Sequence, residues 1–302
     1  MIELIENTIN TIESLIKEQL PESKYQFELF DLITNTKHFR GYNEHFHWGS
    51  VYKLFLVAEI VKMVDEGSLN FSDKIILDKK YKKGTGILKY LNSINEISIE
   101  DACSLIFFTS DNICSDMFFE TTKSKVNDMF EKSGCNNLKI STNLDTIISL
   151  IEPKINFDNV NYIYSQDFYN HYDKVLDLLI TTDYCHVTDI NNCFNFILNG
   201  YYSDENKKRL MEILQIPNIV SKFSYDIAFN RRIVMKGKTG TLGFGIVSNE
   251  CVAIFESKTL NVLGYFSLLT KNNKNRFYEI YNTLGIVAQE VICLYEQLEK
   301  QN

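Results

Sequence analysis

Ile5, Ile9, Ile12, Leu15 and Ile16 recur at the three-to-four-residue spacing that lines apolar side chains along one face of a helix. The pattern predicts an amphipathic first helix that ends near Pro21, whose ring cannot continue it. Residues 25–34 alternate well enough for a strand. A helical stretch then runs over about 50–65 and stops at Gly67. Further helices are expected near 98–108, 113–121, 124–132, 144–151, 174–181, 187–198 and 204–214. Beyond Phe229 the period shortens from helical to alternating, and 231–236, 245–255 and 260–269 read as strands. A long helix over roughly 275–298 closes the chain.

The order is a helix and a strand, a large helical middle, then strands and a last helix. Both ends of the chain therefore feed one sheet, and the middle is an inserted all-helical lobe. This is an α+β architecture. It is expected as a single domain over 1–302, with an α/β lobe from about 1–50 and 215–302 and a helical lobe from about 51–214.

Hydrophobic residues make up 45% of the chain, enough for a sizeable core. The formal net charge of -8 speaks against a nucleic-acid partner, which calls for a basic face. No apolar run is long enough to span a bilayer, so no membrane partner is expected. The first twenty residues alternate acids with isoleucines instead of forming the apolar centre of a signal peptide, which points to the cytoplasm. A leader ahead of Met1 would direct the chain to the periplasm or outside the cell instead. Seven cysteines occur with no CxxC spacing, so neither a metal nor a redox site is signalled, and unpaired thiols suit a reducing compartment. No cofactor is called for. The expected partner is a small-molecule substrate.

Three short elements carry chemistry. In Ser50-Val51-Tyr52-Lys53, a helix puts serine and lysine on one face. The lysine can then act as the base that a serine hydroxyl needs, once burial and nearby positive charge lower its pKa. Alone the spacing means little, because Ser14-Leu15-Ile16-Lys17 has it too. Ser50 differs in opening its helix just after Gly49, where backbone N–H groups are free to meet negative charge. The second element, Ser110-Asp111-Asn112, ends the apolar run 105–108. It offers a hydroxyl to relay a proton and an amide to hold a substrate amide. Asp111 is best read as a local cap. The third, Lys238-Thr239-Gly240, follows a strand and offers positive charge for a carboxylate, a hydroxyl donor, and a glycine against which a substrate can lie close.

Taken in order, the three elements resemble the S-x-x-K, S-D-N and K-T-G set of class A β-lactamases and penicillin-binding proteins. His47-Trp48-Gly49-Ser50-Val51-Tyr52-Lys53-Leu54 is similar to that family's nucleophile turn and first core helix. Gly67-Ser68-Leu69-Asn70-Phe71-Ser72-Asp73 is similar to its exit from that helix, and Gly84-Thr85-Gly86-Ile87-Leu88 to the segment before its S-D-N helix. The interval from Ser50 to Ser110 is the family's usual one. Lys238-Thr239-Gly240-Thr241 followed by Gly245-Ile246-Val247 fits its paired C-terminal strands.

The resemblance runs from about Tyr25 to the C-terminus. It implies a β-lactamase-like (DD-peptidase/transpeptidase) fold, with an antiparallel sheet flanked by the terminal helices. It also implies a serine hydrolase in which Ser50, Lys53 and Ser110 are catalytic. Asn112, Lys238, Thr239, Gly240 and Thr241 bind substrate, and the backbone N–H groups of Ser50 and Thr241 form an oxyanion hole. Glu152-Pro153-Lys154-Ile155-Asn156 imitates the family's Ω loop, which makes Glu152 the candidate deacylation base. The arginine and aspartate that flank the family loop are missing, and Asp158 and Asp167 are other carboxylates in reach of that place in the chain. The favoured reading is therefore a β-lactamase-related peptidase, esterase or acyltransferase. The alternatives are a true class A β-lactamase and a penicillin-binding sensor without turnover.

Other groups have plainer readings. His45 and His47 precede Ser50, but no G-x-S-x-G elbow surrounds it, so they are expected as loop or core residues. His171 and His186 lack ligand-spaced partners. Lys79, Lys80, Lys82 and Lys83 read as a solvated basic loop, and Tyr162, Tyr164, Phe168, Tyr169 and Tyr172 as the packing of a long loop.

Overall fold

The computed structural model describes residues 1–78, 80, 84–151, 166–214, 232–242, 246–272 and 277–300. The first helix, α1 (Ile2–Gln19), buries Ile5, Ile9, Ile12 and Ile16, the apolar face foreseen from their spacing. It is followed by β1 (Lys24–Asp31) and β2 (Thr36–Gly41), a short 3-10 helix at Gly49–Tyr52, and α2 (Lys53–Asp65). Then come β3 (Lys74–Ile76), β4 (Glu96–Ser98), α3 (Ile99–Phe108), α4 (Asn112–Lys132), α5 (Leu144–Ile151), α6 (Gln166–Leu179), α7 (Val187–Gly200) and α8 (Asp204–Leu214). The chain finishes with β5 (Ile233–Leu242), β6 (Val247–Glu256), β7 (Val262–Lys271) and α9 (Phe277–Glu299).

The five long strands form one antiparallel sheet in the order β2-β1-β7-β6-β5, and β3 pairs with β4 apart from it. Alternation along the strands divides the core in two. Phe27, Leu29, Val252, Ile254, Phe266 and Leu268 meet α1 and α9, which supply Ile5, Ile9, Val287 and Val291. Cys251, Ala253, Phe255, Tyr265 and Leu269 join the larger cluster built from the helical middle. β6 is thus apolar on both faces because helices cover both. β5 lies at the open edge of the sheet.

Several local expectations change. The segments 113–121 and 124–132 are one helix, α4. Thr121 and Thr122 interrupt the apolar pattern, but their hydroxyls donate back to Phe118 O at 3.0 and 2.8 Å, so the turn continues. The strand expected over 231–236 runs on to Leu242, which puts Lys238-Thr239-Gly240 inside β5 instead of after it. The helix expected from 174 begins at Gln166. β2, β3 and β4 were not foreseen. The last two have three residues each, too few to show a period.

Candidate active site

The chain reaches Ser50 through a turn fixed from both sides. Trp48 packs edge-on to Phe55 and stacked on Phe130, with ring centroids 5.6 Å away in each case, and its Nε1 donates to Lys139 O at 2.7 Å. Gly49 has φ of +55°, which an L side chain rarely adopts, and its N–H donates to His47 Nδ1 at 3.1 Å. From the sheet, Asn249 Nδ2 donates to His47 O at 2.7 Å and Trp48 O at 3.0 Å, while its Oδ1 accepts from Thr270 N at 3.1 Å. The backbone at Gly240 presses on the same turn: a Cβ there would lie 2.7 Å from Ser50 N and 2.6 Å from Trp48 O. A Cβ on Gly49 would in turn lie 3.2 Å from Thr241 N. The Ser50 and Thr241 N–H groups therefore belong to two closely packed backbones, one of them an edge strand.

Lys53 opens α2 one helical step beyond Ser50 and is fully buried. Its Nζ donates to Ser110 O at 2.6 Å, Asn112 Oδ1 at 2.7 Å and Ser110 Oγ at 3.2 Å. An ammonium has three N–H donors, and these partners match them in number. Ser110 itself sits at φ +55°, unusual for a serine, and this turn aims its carbonyl at Lys53. The carbonyl also accepts from Thr85 Oγ1 at 2.8 Å, and Thr85 donates to Asn112 Oδ1 at 3.2 Å. Asp111 caps α4 by accepting Cys114 N at 3.3 Å and ties down the preceding loop through Leu88 N at 3.0 Å.

Burial pushes the Lys53 amine down to about 8, against the opposing pull of Asp116, Asp111 and Cys114. The sequence reading named two causes, burial and nearby positive charge. Of these the structure shows burial. Lys238 is also fully buried, with Nζ donating to Thr239 O at 2.9 Å. Thr239 Oγ1 donates to Asn249 O at 3.3 Å.

The structure thus brings Ser50, Lys53, Ser110, Asn112 and Gly240 to one place, with Lys238, Thr239 and Thr241 on the strand beside them. Glu152, Asp158, Tyr162 and Tyr164 lie outside the described residues, as do Lys79, Lys82 and Lys83. His47 is buried and held neutral, its pKa lowered by burial to about 4. His45 stacks on Tyr184 with centroids 4.4 Å apart. Phe168 and Tyr172 are buried and pack on each other. By contrast Lys17, in the Ser14 look-alike, is exposed and paired with Glu13 at 2.7 Å.

Sequence reading missed Asn249 and Asp116, because both work through backbone atoms of segments far along the chain. Asp116 is fully buried and accepts Leu144 N at 3.1 Å and Asp145 N at 2.8 Å, which fixes the start of α5. An acid set just before the apolar run Met117-Phe118-Phe119, four residues after Asn112, was the available signal.

Solved structures share this architecture. PBP-A aligns over 96% of both chains with a TM-score of 0.72 at 16% identity. A β-lactamase from Sphaerobacter thermophilus aligns over 93% of this chain and 95% of its own, at 0.72 and 15%. The chromosome-encoded β-lactamase of Vibrio parahaemolyticus covers 95% and 98%, at 0.73 and 14%. These likenesses establish the expected α+β, β-lactamase-like fold. A comparison with curated proteins yields no match. The model of the Beta-lactamase enzyme family matches residues 5–296, nearly the whole chain, and the protein belongs to that family.

Proposed function

We propose that this protein is a serine hydrolase that works through a covalent Ser50 ester on a small substrate with an amide or ester carbonyl and a nearby carboxylate. Family membership supports the serine-hydrolase type. The observation that carries the finer reading is Lys53: a fully buried amine, one step along the helix from Ser50, held by Ser110 and Asn112 and lowered to about 8.

In its neutral form Lys53 takes the Ser50 hydroxyl proton as Oγ attacks the substrate carbonyl. The Ser50 and Thr241 N–H groups receive the negative charge that develops on the carbonyl oxygen. When the tetrahedral species collapses, the bond to the leaving group breaks and the proton reaches that group through Ser110 Oγ. Asn112 and Thr239 hold the substrate, and Lys238 supplies positive charge for its carboxylate. Water or another hydroxyl or amine acceptor then takes the acyl group from Ser50.

A PBP-A variant is described as an acyl-enzyme complex with penicillin-G, which makes a penicillin a sensible probe here. Mass spectrometry after exposure to a fluorescent penicillin and to simple activated esters tests the proposal. The expected result is one adduct on Ser50, absent from Ser50→Ala. Turnover that survives in Ser50→Ala rules the nucleophile out, and an unmodified Ser50 with every probe counts against acylation.

A further inference from the structure

Asn112 and Asp116 stand four residues apart on α4, so they share one face of that helix. That face looks onto Lys53, because Asn112 Oδ1 accepts its Nζ at 2.7 Å. Asp116 is fully buried one turn further along, and its two carboxyl oxygens accept the N–H groups of Leu144 and Asp145 at the start of α5. A neutral amide there has one acceptor oxygen and turns its NH2, a donor, towards the second backbone N–H. The carboxylate matches both.

We infer that Asp116 is a positioning residue for acylation. Its carboxylate joins α5 to the helix that holds Ser110 and Asn112, and its charge sets how firmly Lys53 keeps its proton. The inference rests on the reading of Ser50 and Lys53 given above. The titratable groups around Lys53 are Asp116, Asp111 and Cys114; those around Asp116 are Lys53, Asp145 and Tyr52. Burial raises Asp116 to about 6 even though Lys53 and the two backbone donors oppose the shift. The pair is then ionised on both sides at neutral pH. Lys53 must give up its proton while a negative charge beside it resists the loss.

The sign of the effect follows. Asp116→Asn removes the negative charge, so Lys53 loses its proton more readily. The midpoint of the acid limb of Ser50 acylation moves to lower pH by about one unit. A purely structural loss would lower the plateau and leave the midpoint in place. Asp145→Asn is the matching control, since it alters the same end of α5 without being a neighbour of Lys53, and its midpoint stays near that of the unmodified protein.

The experiment measures the rate of Ser50 acylation by a chromogenic ester or a penicillin from pH 5 to 9 in all three proteins. An unmoved midpoint in Asp116→Asn overturns the inference, as does an equal shift in Asp145→Asn. Should Asp116→Asn fail to fold, the unmodified protein still decides. As Asp116 gains its proton near pH 6, the pull on Lys53 weakens, and the acid limb shows a shoulder between about pH 7 and 6 before it falls tenfold per unit again. A straight tenfold fall per unit from pH 8 to 5 refutes it. Absence of acylation in the unmodified protein at every pH is a failure of the proposed function instead.

Discussion

Asn249 and Gly240 face each other across β6 and β5, and both close on the main chain that leads into Ser50. One holds that chain by hydrogen bonds from its side chain, and the other admits it by having no side chain. Ser50, the proposed nucleophile, is thus placed by the sheet as much as by its own helix.

Asn249→Ala removes the donor shared by His47 O and Trp48 O and the acceptor of Thr270 N; Trp48 O keeps only its bond from Val51 N. Such a loss costs about 2–4 kcal/mol. Urea unfolding should show the drop as a lower midpoint with an unchanged slope. A variant as stable as the parent would mean that these bonds do not anchor the turn.

Gly240→Ala should cost about 1–3 kcal/mol of stability and slow acylation roughly 100-fold. The added methyl would meet Ser50 N at 2.7 Å and Trp48 O at 2.6 Å, both backbone atoms that cannot swing away. Stopped-flow labelling of Ser50 measures the rate. Parent-like labelling would separate Gly240 from the positioning of the nucleophile.

Acylation should rise with pH and level off above about 8, because Lys53 acts only after it loses a proton and burial has lowered its pKa to about 8. The neutral fraction is small below that value and complete above it. A rate that ignores pH between 7 and 9 would remove Lys53 from the role of base.

Thr85→Val deletes a hydroxyl that donates to Ser110 O at 2.8 Å and Asn112 Oδ1 at 3.2 Å. Both acceptors keep their bonds to Lys53, so stability should change by no more than about 1.5 kcal/mol. The cost appears in chemistry, as roughly a tenfold slower acylation, because the acceptors that orient Lys53 are less firmly set. Comparing thermal unfolding with acylation kinetics distinguishes this outcome from general destabilisation.

Much of the molecule was legible in the chain, and the limits have physical causes. The apolar face of α1 and the bounds of α5 and α8 followed from periodicity, since each helix lies on the core along one side. Ser50, Lys53, Ser110 and Lys238 could be picked out as candidates because each sits in a short run of recognisable spacing. The look-alike at Ser14 shows what such spacing lacks: burial of the lysine, which depends on α4 and the sheet. Asn249 and Asp116 escaped notice because they act on backbone atoms of segments remote in sequence, and main-chain groups carry no residue signature. Strand β5 was drawn too short because Lys238-Thr239-Gly240 breaks the alternation of apolar residues, although its backbone pairs with β6 throughout.

The pairing of β1 with β7 has a consequence for how the protein comes into being. Residues 24–31 wait for 264–271 before they gain that neighbour, and the turn at Ser50 waits for Gly240 and Asn249. During synthesis the helical middle emerges while Ser50 still lacks the strand that fixes its turn. On the proposed mechanism the nascent chain cannot be acylated at Ser50 until almost all of it has left the ribosome. The proposed site is complete only with the finished sheet, and a chain truncated before β6 would carry Ser50 and Lys53 without Gly240 and Asn249 packed in register on the Ser50 turn.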